Sequence, residues 1–131
     1  MKDQYNREID YLRVSVTDRC NLRCVYCMPE EGVCAMSHDE ILRIEEIAHV
    51  VRVFSNLGIK SVRLTGGEPL VRKGVVDLVR DINDMPGIKN ISLTTNGVLL
   101  DDEVTEFCNR EMHNVVLSLD GRPEVNDRFR V

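Results

Sequence analysis

The chain has no tryptophan, three phenylalanines and three tyrosines, so aromatic residues make up 5% of it. A fold built on large aromatic stacks is thereby excluded, and the core must come from aliphatic side chains. No run approaches the roughly 20 apolar residues needed to cross a bilayer. The opening MKDQYNREIDY lacks the apolar stretch of a secretion signal. A membrane partner is not expected, and the location expected is the cytoplasm. Positive charge is also scarce: 17 Lys and Arg stand against 22 Asp and Glu, a net −5, which leaves no global electrostatic attraction for nucleic acid. Linkers rich in Gly, Ser and Pro, low-complexity tracts and repeats are missing as well, so 131 residues are expected to make one globular unit.

What is present in excess is cysteine. Five cysteines, an odd number with three packed into eight positions, suit metal ligation better than disulfides in a reducing compartment. Cys20-Asn-Leu-Arg-Cys24-Val-Tyr-Cys27 has the CxxxCxxC spacing. Thiolates three or four positions apart on a compact loop can converge on one iron–sulfur cluster. Three ligands rather than four would leave one iron open to a reactant, whereas structural zinc and electron-transfer clusters are closed by four protein ligands. Cys34 is the candidate fourth ligand for such a closed site. Cys108 falls within an apolar helical pattern and reads as a small buried hydrophobe. His38, His49 and His113 have no metal-ligand spacing and read as helix-surface or strand-edge residues.

Strand and helix signals alternate with a repeat of about thirty residues. Residues 11–17, 59–65, 89–95 and 114–119 are β-branched and apolar and predict four strands. Ser37-His-Asp-Glu40 is a capping-box sequence, and Ile41, Ile44, Ile47, Ala48, Val51 and Phe54 follow at helical spacing up to Gly58. Further helices are predicted over 71–85, 101–110 and from Pro123 to Val131, with Arg122 to Arg130 read as a solvated helix start. The order β-α-β-α-β-α-β-α with right-handed crossovers implies an α/β fold, a parallel sheet with helices on its outer face. A closed eight-stranded barrel takes about 250 residues, so four β/α units make a partial (β/α) barrel, and the chain is expected to be a fragment. The last strand then carries an open edge unless something covers it.

Each predicted strand ends in a polar motif: the cysteine loop, Thr65-Gly-Gly-Glu-Pro69, Thr94-Thr-Asn-Gly97 and Ser118-Leu-Asp-Gly121. Ligands bind at the carboxyl ends of parallel strands, so these four loops predict one shared site. Gly66 and Gly67 permit close approach to the backbone, and Glu68 can accept hydrogen bonds from an ammonium group.

The cysteine loop, with aromatic Tyr26 before its last cysteine, followed by GGEP, resembles the radical S-adenosylmethionine superfamily. That resemblance implies a radical S-adenosylmethionine core domain over 1–131. It implies a [4Fe–4S] cluster on Cys20, Cys24 and Cys27 whose open iron takes the amino and carboxylate groups of S-adenosylmethionine. Reductive cleavage then yields a 5′-deoxyadenosyl radical, and Tyr26, Gly66, Gly67, Glu68 and Ser118 would contact the cofactor. Residues 11–32, Val62 to Arg72 and Leu93 to Leu100 are similar to the molybdenum-cofactor biosynthesis protein A family, the GTP 3′,8-cyclases. On this resemblance GTP is the substrate, Arg13, Arg63 and Thr95 face the nucleotide, and flavodoxin or ferredoxin donates electrons, with a homodimer possible. The family's second cluster and arginine-rich tail lie C-terminal to the stretch present here. The run Gly121-Arg-Pro-Glu-Val-Asn-Asp-Arg-Phe-Arg130 is instead similar to radical peptide maturases. A maturase, or a cluster-binding domain without turnover, is the alternative.

Overall fold

A computed structural model describes residues 2–32, 36–37 and 40–131. Four parallel strands, β1 (Tyr11–Ser15), β2 (Ser61–Thr65), β3 (Asn90–Thr95) and β4 (Asn114–Leu117), pair in sequence order. Helices α1 (Ile44–Asn56), α2 (Val75–Asn83), α3 (Asp102–Glu111) and α4 (Pro123–Phe129) alternate with them. This is the predicted α/β arc of four β/α units, shorter than predicted at most element ends.

The core forms where the strand period of two meets the helical period. Val62 and Leu64 on β2 pair laterally with Ile91 and Leu93 on β3, and all four are buried. Against them lie Ile47, Ala48 and Val51 of α1 and Val75, Leu78, Val79 and Ile82 of α2, residues at i, i+3, i+4 and i+7. The alternate positions of the same strands, Arg13, Arg63 and Ser92, stand in one lateral row on the opposite, polar face. Cys108 is buried at 5% exposure with Phe107 in the same core, as its apolar setting predicts, and burial pushes its thiol pKa up.

Three boundaries differ from expectation for local reasons. Half of the Ser37–Glu40 box forms: the Ser37 N–H and Oγ both donate to the Glu40 carboxylate at 2.9 Å, while the Glu40 N–H donates to Ser37 O. It does not start α1, however. Arg43 is the N-cap, and the Glu46 carboxylate returns to the Arg43 N–H at 2.7 Å, so a second box sets the start at Ile44. Likewise Pro69–Val71 is a 3₁₀ turn, and Gly74, left-handed at φ 88°, separates it from α2. Asp101, expected as the first residue of α3, is instead its N-cap: its side chain accepts from the Val104 N–H at 2.8 Å and the helix starts at Asp102.

Strand β4 is the exposed edge. Val115, Val116 and Leu117 are all more than a third accessible. Among the described residues no helix is long and apolar enough to cross a membrane.

Candidate functional site

The carboxyl end of the sheet is assembled around β2. Beyond Thr65 the chain passes through Gly66 at φ 145°, a conformation that favours glycine. A Cβ at Gly66 would run into the Thr17 backbone, and one at Gly67 into the Arg19 carbonyl. Strand β2 therefore lies directly on the segment that leads into Cys20. Gly67 N–H donates to Thr17 O and Glu68 N–H to Arg19 O, both at 2.8 Å. The close approach the glycines permit is made first by the chain itself.

Glu68 turns inward and is 1% exposed. Its carboxylate accepts from Thr95 Oγ1 at 2.8 Å, Asn96 N–H at 2.7 Å and Leu70 N–H at 3.1 Å. Two carboxylate oxygens offer about four acceptor positions, so three are used within the protein. Thr95, 2% exposed, thus fixes β3 to β2 through its hydroxyl. Asn96 extends the link to the cysteine loop: its Nδ2 donates to Asn21 Oδ1 at 2.8 Å and lies 3.9 Å from Cys20 Sγ.

Cys20 is half-buried, Cys24 buried and Cys27 exposed. Together with Arg13, Tyr26, Gly66, Gly67, Glu68, Thr95, Asn96, Ser118 and Arg130 they line one cavity of about 220 Å³. Loops from all four strands reach it, as the rim motifs predict. Of the predicted site residues only Arg63 lies outside this lining. It is next to Arg13 in register, its Nε donates to Ser92 Oγ at 3.2 Å, and its guanidinium stands 5.9 Å from the Tyr11 ring. A larger cavity, about 280 Å³, lies between β1 and α1 and has mostly apolar walls including Val14, Ile41 and Ile47. Among the described residues no cysteine lines it, so size alone does not mark the chemistry.

Tyr26 is anchored from the far side of the chain. Its hydroxyl donates to Asp120 Oδ2 at 2.5 Å, and Arg130 Nε donates to the same oxygen at 2.6 Å. The hydrogen bond to Asp120 raises the Tyr26 pKa to about 12, with burial adding to it. The Tyr26 hydroxyl and then Arg130 hold the Asp120 carboxyl below its usual value. Arg130 is a correction to the sequence reading: α4 is solvated as predicted, but this last arginine turns inward to 14% side-chain exposure. Its partner lies ten residues earlier and the ring it covers over a hundred, so no local pattern marked it. Asn21 and Asn96 were also unmarked as site residues, although Asn96 stood in a rim motif.

The donor set fits an iron–sulfur cluster better than a single ion. Among the described residues no group of three or more His, Cys, Asp and Glu is compact enough to hold one metal. Three thiols that line one cavity without forming such a group match a cluster in which separate irons each take one thiolate. Cys34, His38 and part of the loop between them lie outside the described residues. His49 is on exposed α1 surface, and His113 is at the strand edge, where its Nδ1 accepts from Ile91 N–H at 3.1 Å.

Residues 14–130 match the Radical SAM superfamily, and the chain belongs to that superfamily. Its enzymes carry a [4Fe–4S] cluster and use S-adenosylmethionine. Within it the chain is similar to GTP 3′,8-cyclases: 59% identical over 120 residues to that of Pelotomaculum thermopropionicum, covering 92% of this chain and 37% of the relative. With that of Clostridium perfringens strain SM101 it shares 52% over 130 residues, covering 99% and 40%. The chain thus spans about two fifths of the length of these relatives. The 130-residue match runs through most of Gly121 to Arg130, so that stretch does not favour a maturase. Among solved structures, native anSMEcpe with bound AdoMet is 28% identical with a TM-score of 0.70, covering 92% of this chain and 35% of that one. Streptococcus suis SuiB bound to S-adenosylmethionine, 19% identical with a TM-score of 0.77, covers 92% and 28% and shares the fold.

Proposed function

We propose that residues 1–131 form the S-adenosylmethionine-cleaving core domain of a GTP 3′,8-cyclase acting in molybdenum-cofactor biosynthesis. The observation that carries the reading is the convergence of Cys20, Cys24 and Cys27 with the Gly66-Gly67-Glu68 turn on one cavity, in a chain 52–59% identical to such cyclases. When bound, the cluster and S-adenosylmethionine supply a 5′-deoxyadenosyl radical that abstracts hydrogen from the ribose of GTP.

The chain's own residues place these groups. Cys20, Cys24 and Cys27 hold three irons. Tyr26, Gly66, Gly67, Glu68 and Ser118 form the cofactor's side of the cavity, and the remaining acceptor position on Glu68 suits the cofactor's ammonium group. Arg13, Arg63 and Thr95 belong to the nucleotide's side. Arg13 and Arg63 are neighbours on one face of the sheet, and among the described residues neither pairs with a carboxylate. Two unneutralised guanidiniums side by side repel each other, and a polyphosphate between them relieves that repulsion. A cytoplasmic setting, a flavodoxin or ferredoxin as electron donor and a homodimer complete the proposal.

The test uses the protein with the C-terminal part its relatives possess. Anaerobic reconstitution followed by incubation with GTP, S-adenosylmethionine and a reductant is expected to give 5′-deoxyadenosine together with the cyclic purine product. Cofactor cleavage that never depends on GTP counts against the cyclase.

A further inference from the structure

Within the cysteine loop, few local bonds keep its shape. Cys27 and Met28 N–H donate to Cys24 O at 2.9 and 3.0 Å, which closes one turn. Asn96 holds the front of the loop at Asn21. Among the described residues, the hydrogen bonds that reach Arg23 to Tyr26 from outside the loop come from beyond β4. Tyr26 and Arg130 meet on a single Asp120 oxygen, and the Arg130 guanidinium stands 5.8 Å from the Tyr26 ring. The backbone follows: Val25 N–H donates to Phe129 O at 3.0 Å, and Arg23 N–H donates to Val131 O. Asp120 is oriented in turn by its own N–H donating to Asn126 Oδ1 at 3.3 Å, at the middle of α4.

Four contacts, two through side chains and two through backbone, therefore tie Arg23 to Tyr26 to the segment 120–131. The shared oxygen makes the two side-chain contacts interdependent. A carboxylate accepting both a phenol and a guanidinium forms charge-assisted bonds, stronger than neutral ones, and here the Arg130 side chain is shielded at 14% exposure while Asp120 and Tyr26 keep 34% and 58%. Thiol spacing depends on the backbone between the thiols, so a clamp on Val25 and Tyr26 acts on the Cys24–Cys27 separation directly.

We propose that Asp120 and Arg130 are positioning residues that clasp the cysteine loop, so that the geometry offered to a cluster is set only when β4 and α4 are in place. The consequence for a cluster rests on the assignment of Cys20, Cys24 and Cys27 as its ligands, while the clasp itself belongs to the protein without one. Neither residue needs to touch a reacting atom.

The experiment is amide hydrogen exchange on the cluster-free full chain, comparing wild type with Asp120→Ala, Arg130→Ala, and the conservative Asp120→Glu and Arg130→Lys. Loss of a charge-assisted bond is expected to speed exchange across residues 23–28 about tenfold. Exchange at Val62–Leu64 and Ile91–Leu93 stays as in wild type, and the conservative variants recover part of the protection. After anaerobic reconstitution, Asp120→Ala is expected to lose the change that S-adenosylmethionine produces in the cluster's electron paramagnetic resonance. Exchange at 23–28 within twofold of wild type in both alanine variants overturns the clasp. So does an equal acceleration in the core strands, which would make the role one of global stability. Faster loop exchange in the alanine variants, with a wild-type chain that assembles no cluster on reconstitution, keeps the clasp and refutes the ligand assignment instead.

Discussion

Gly67→Ala is the sharpest perturbation of the contact between β2 and the cysteine loop. The added Cβ would meet the Arg19 carbonyl oxygen and carbon, and Asp18 O lies 2.8 Å away. All of these are backbone atoms, so no side chain can swing aside and the two segments must part. Parting them strains or breaks the 2.8 Å bonds from Gly67 N–H to Thr17 O and from Glu68 N–H to Arg19 O. Each such bond contributes about 1 kcal/mol net, and overpacking adds about 1–3 kcal/mol, for a total of about 3–5 kcal/mol. At roughly 3–5 °C per kcal/mol for a chain of this size, the thermal midpoint measured by circular dichroism should fall by about 9–25 °C. Gly121→Ala is the control: its φ is 86°, and a Cβ there meets only Val125 side-chain atoms at 3.9 Å or more, so the cost is the left-handed conformation alone, about 1–2 kcal/mol. If Gly67→Ala melts no lower than Gly121→Ala, the close packing of β2 on residues 17–19 is not what positions the loop.

Other perturbations test other parts of the structure. Leu78→Ala removes a fully buried side chain between α2 and the sheet and should cost about 2–5 kcal/mol in urea denaturation. Glu68→Gln turns one acceptor oxygen into a donor facing Thr95 or Asn96; a loss of about 1–3 kcal/mol is expected by the same measurement, and none would mean the buried network is not formed. In the cluster-free chain exposed Cys27 should react with a thiol reagent well before Cys108, whose buried thiol has a raised pKa; equal rates would contradict that burial. The depressed Asp120 pKa means its contribution is complete above the ordinary value of 3.8 and lost as pH falls through the lower folded value. Wild type should therefore lose thermal stability below that pH more steeply than Asp120→Ala, and parallel curves would show the carboxylate contributes nothing.

The cysteine loop and the four rim motifs were legible because their signals are local. A CxxxCxxC run and a polar turn after each apolar strand need no knowledge of partners. The core was legible for a similar reason: Ile44, Ile47, Ala48 and Val51 declare their shared face through spacing alone. Boundaries were harder, because Ser37–Glu40 and Arg43–Glu46 offer competing starts and only packing decides between them. Hardest of all were roles set by distant partners. Glu68 looked like a free acceptor, yet most of its capacity serves β3, and Arg130 looked solvated, yet it completes a contact with Tyr26 more than a hundred positions away.

The central claim is that Cys20, Cys24 and Cys27 hold a cluster with one iron open to S-adenosylmethionine. Electron paramagnetic resonance of the anaerobically reconstituted, reduced chain tests it most directly, with and without that cofactor, in wild type and in Cys→Ser variants at each position. The expected result is a [4Fe–4S] signal that changes on adding S-adenosylmethionine and is lost in every variant. A signal indifferent to the cofactor, or one that survives replacement of any of the three cysteines, would contradict the account.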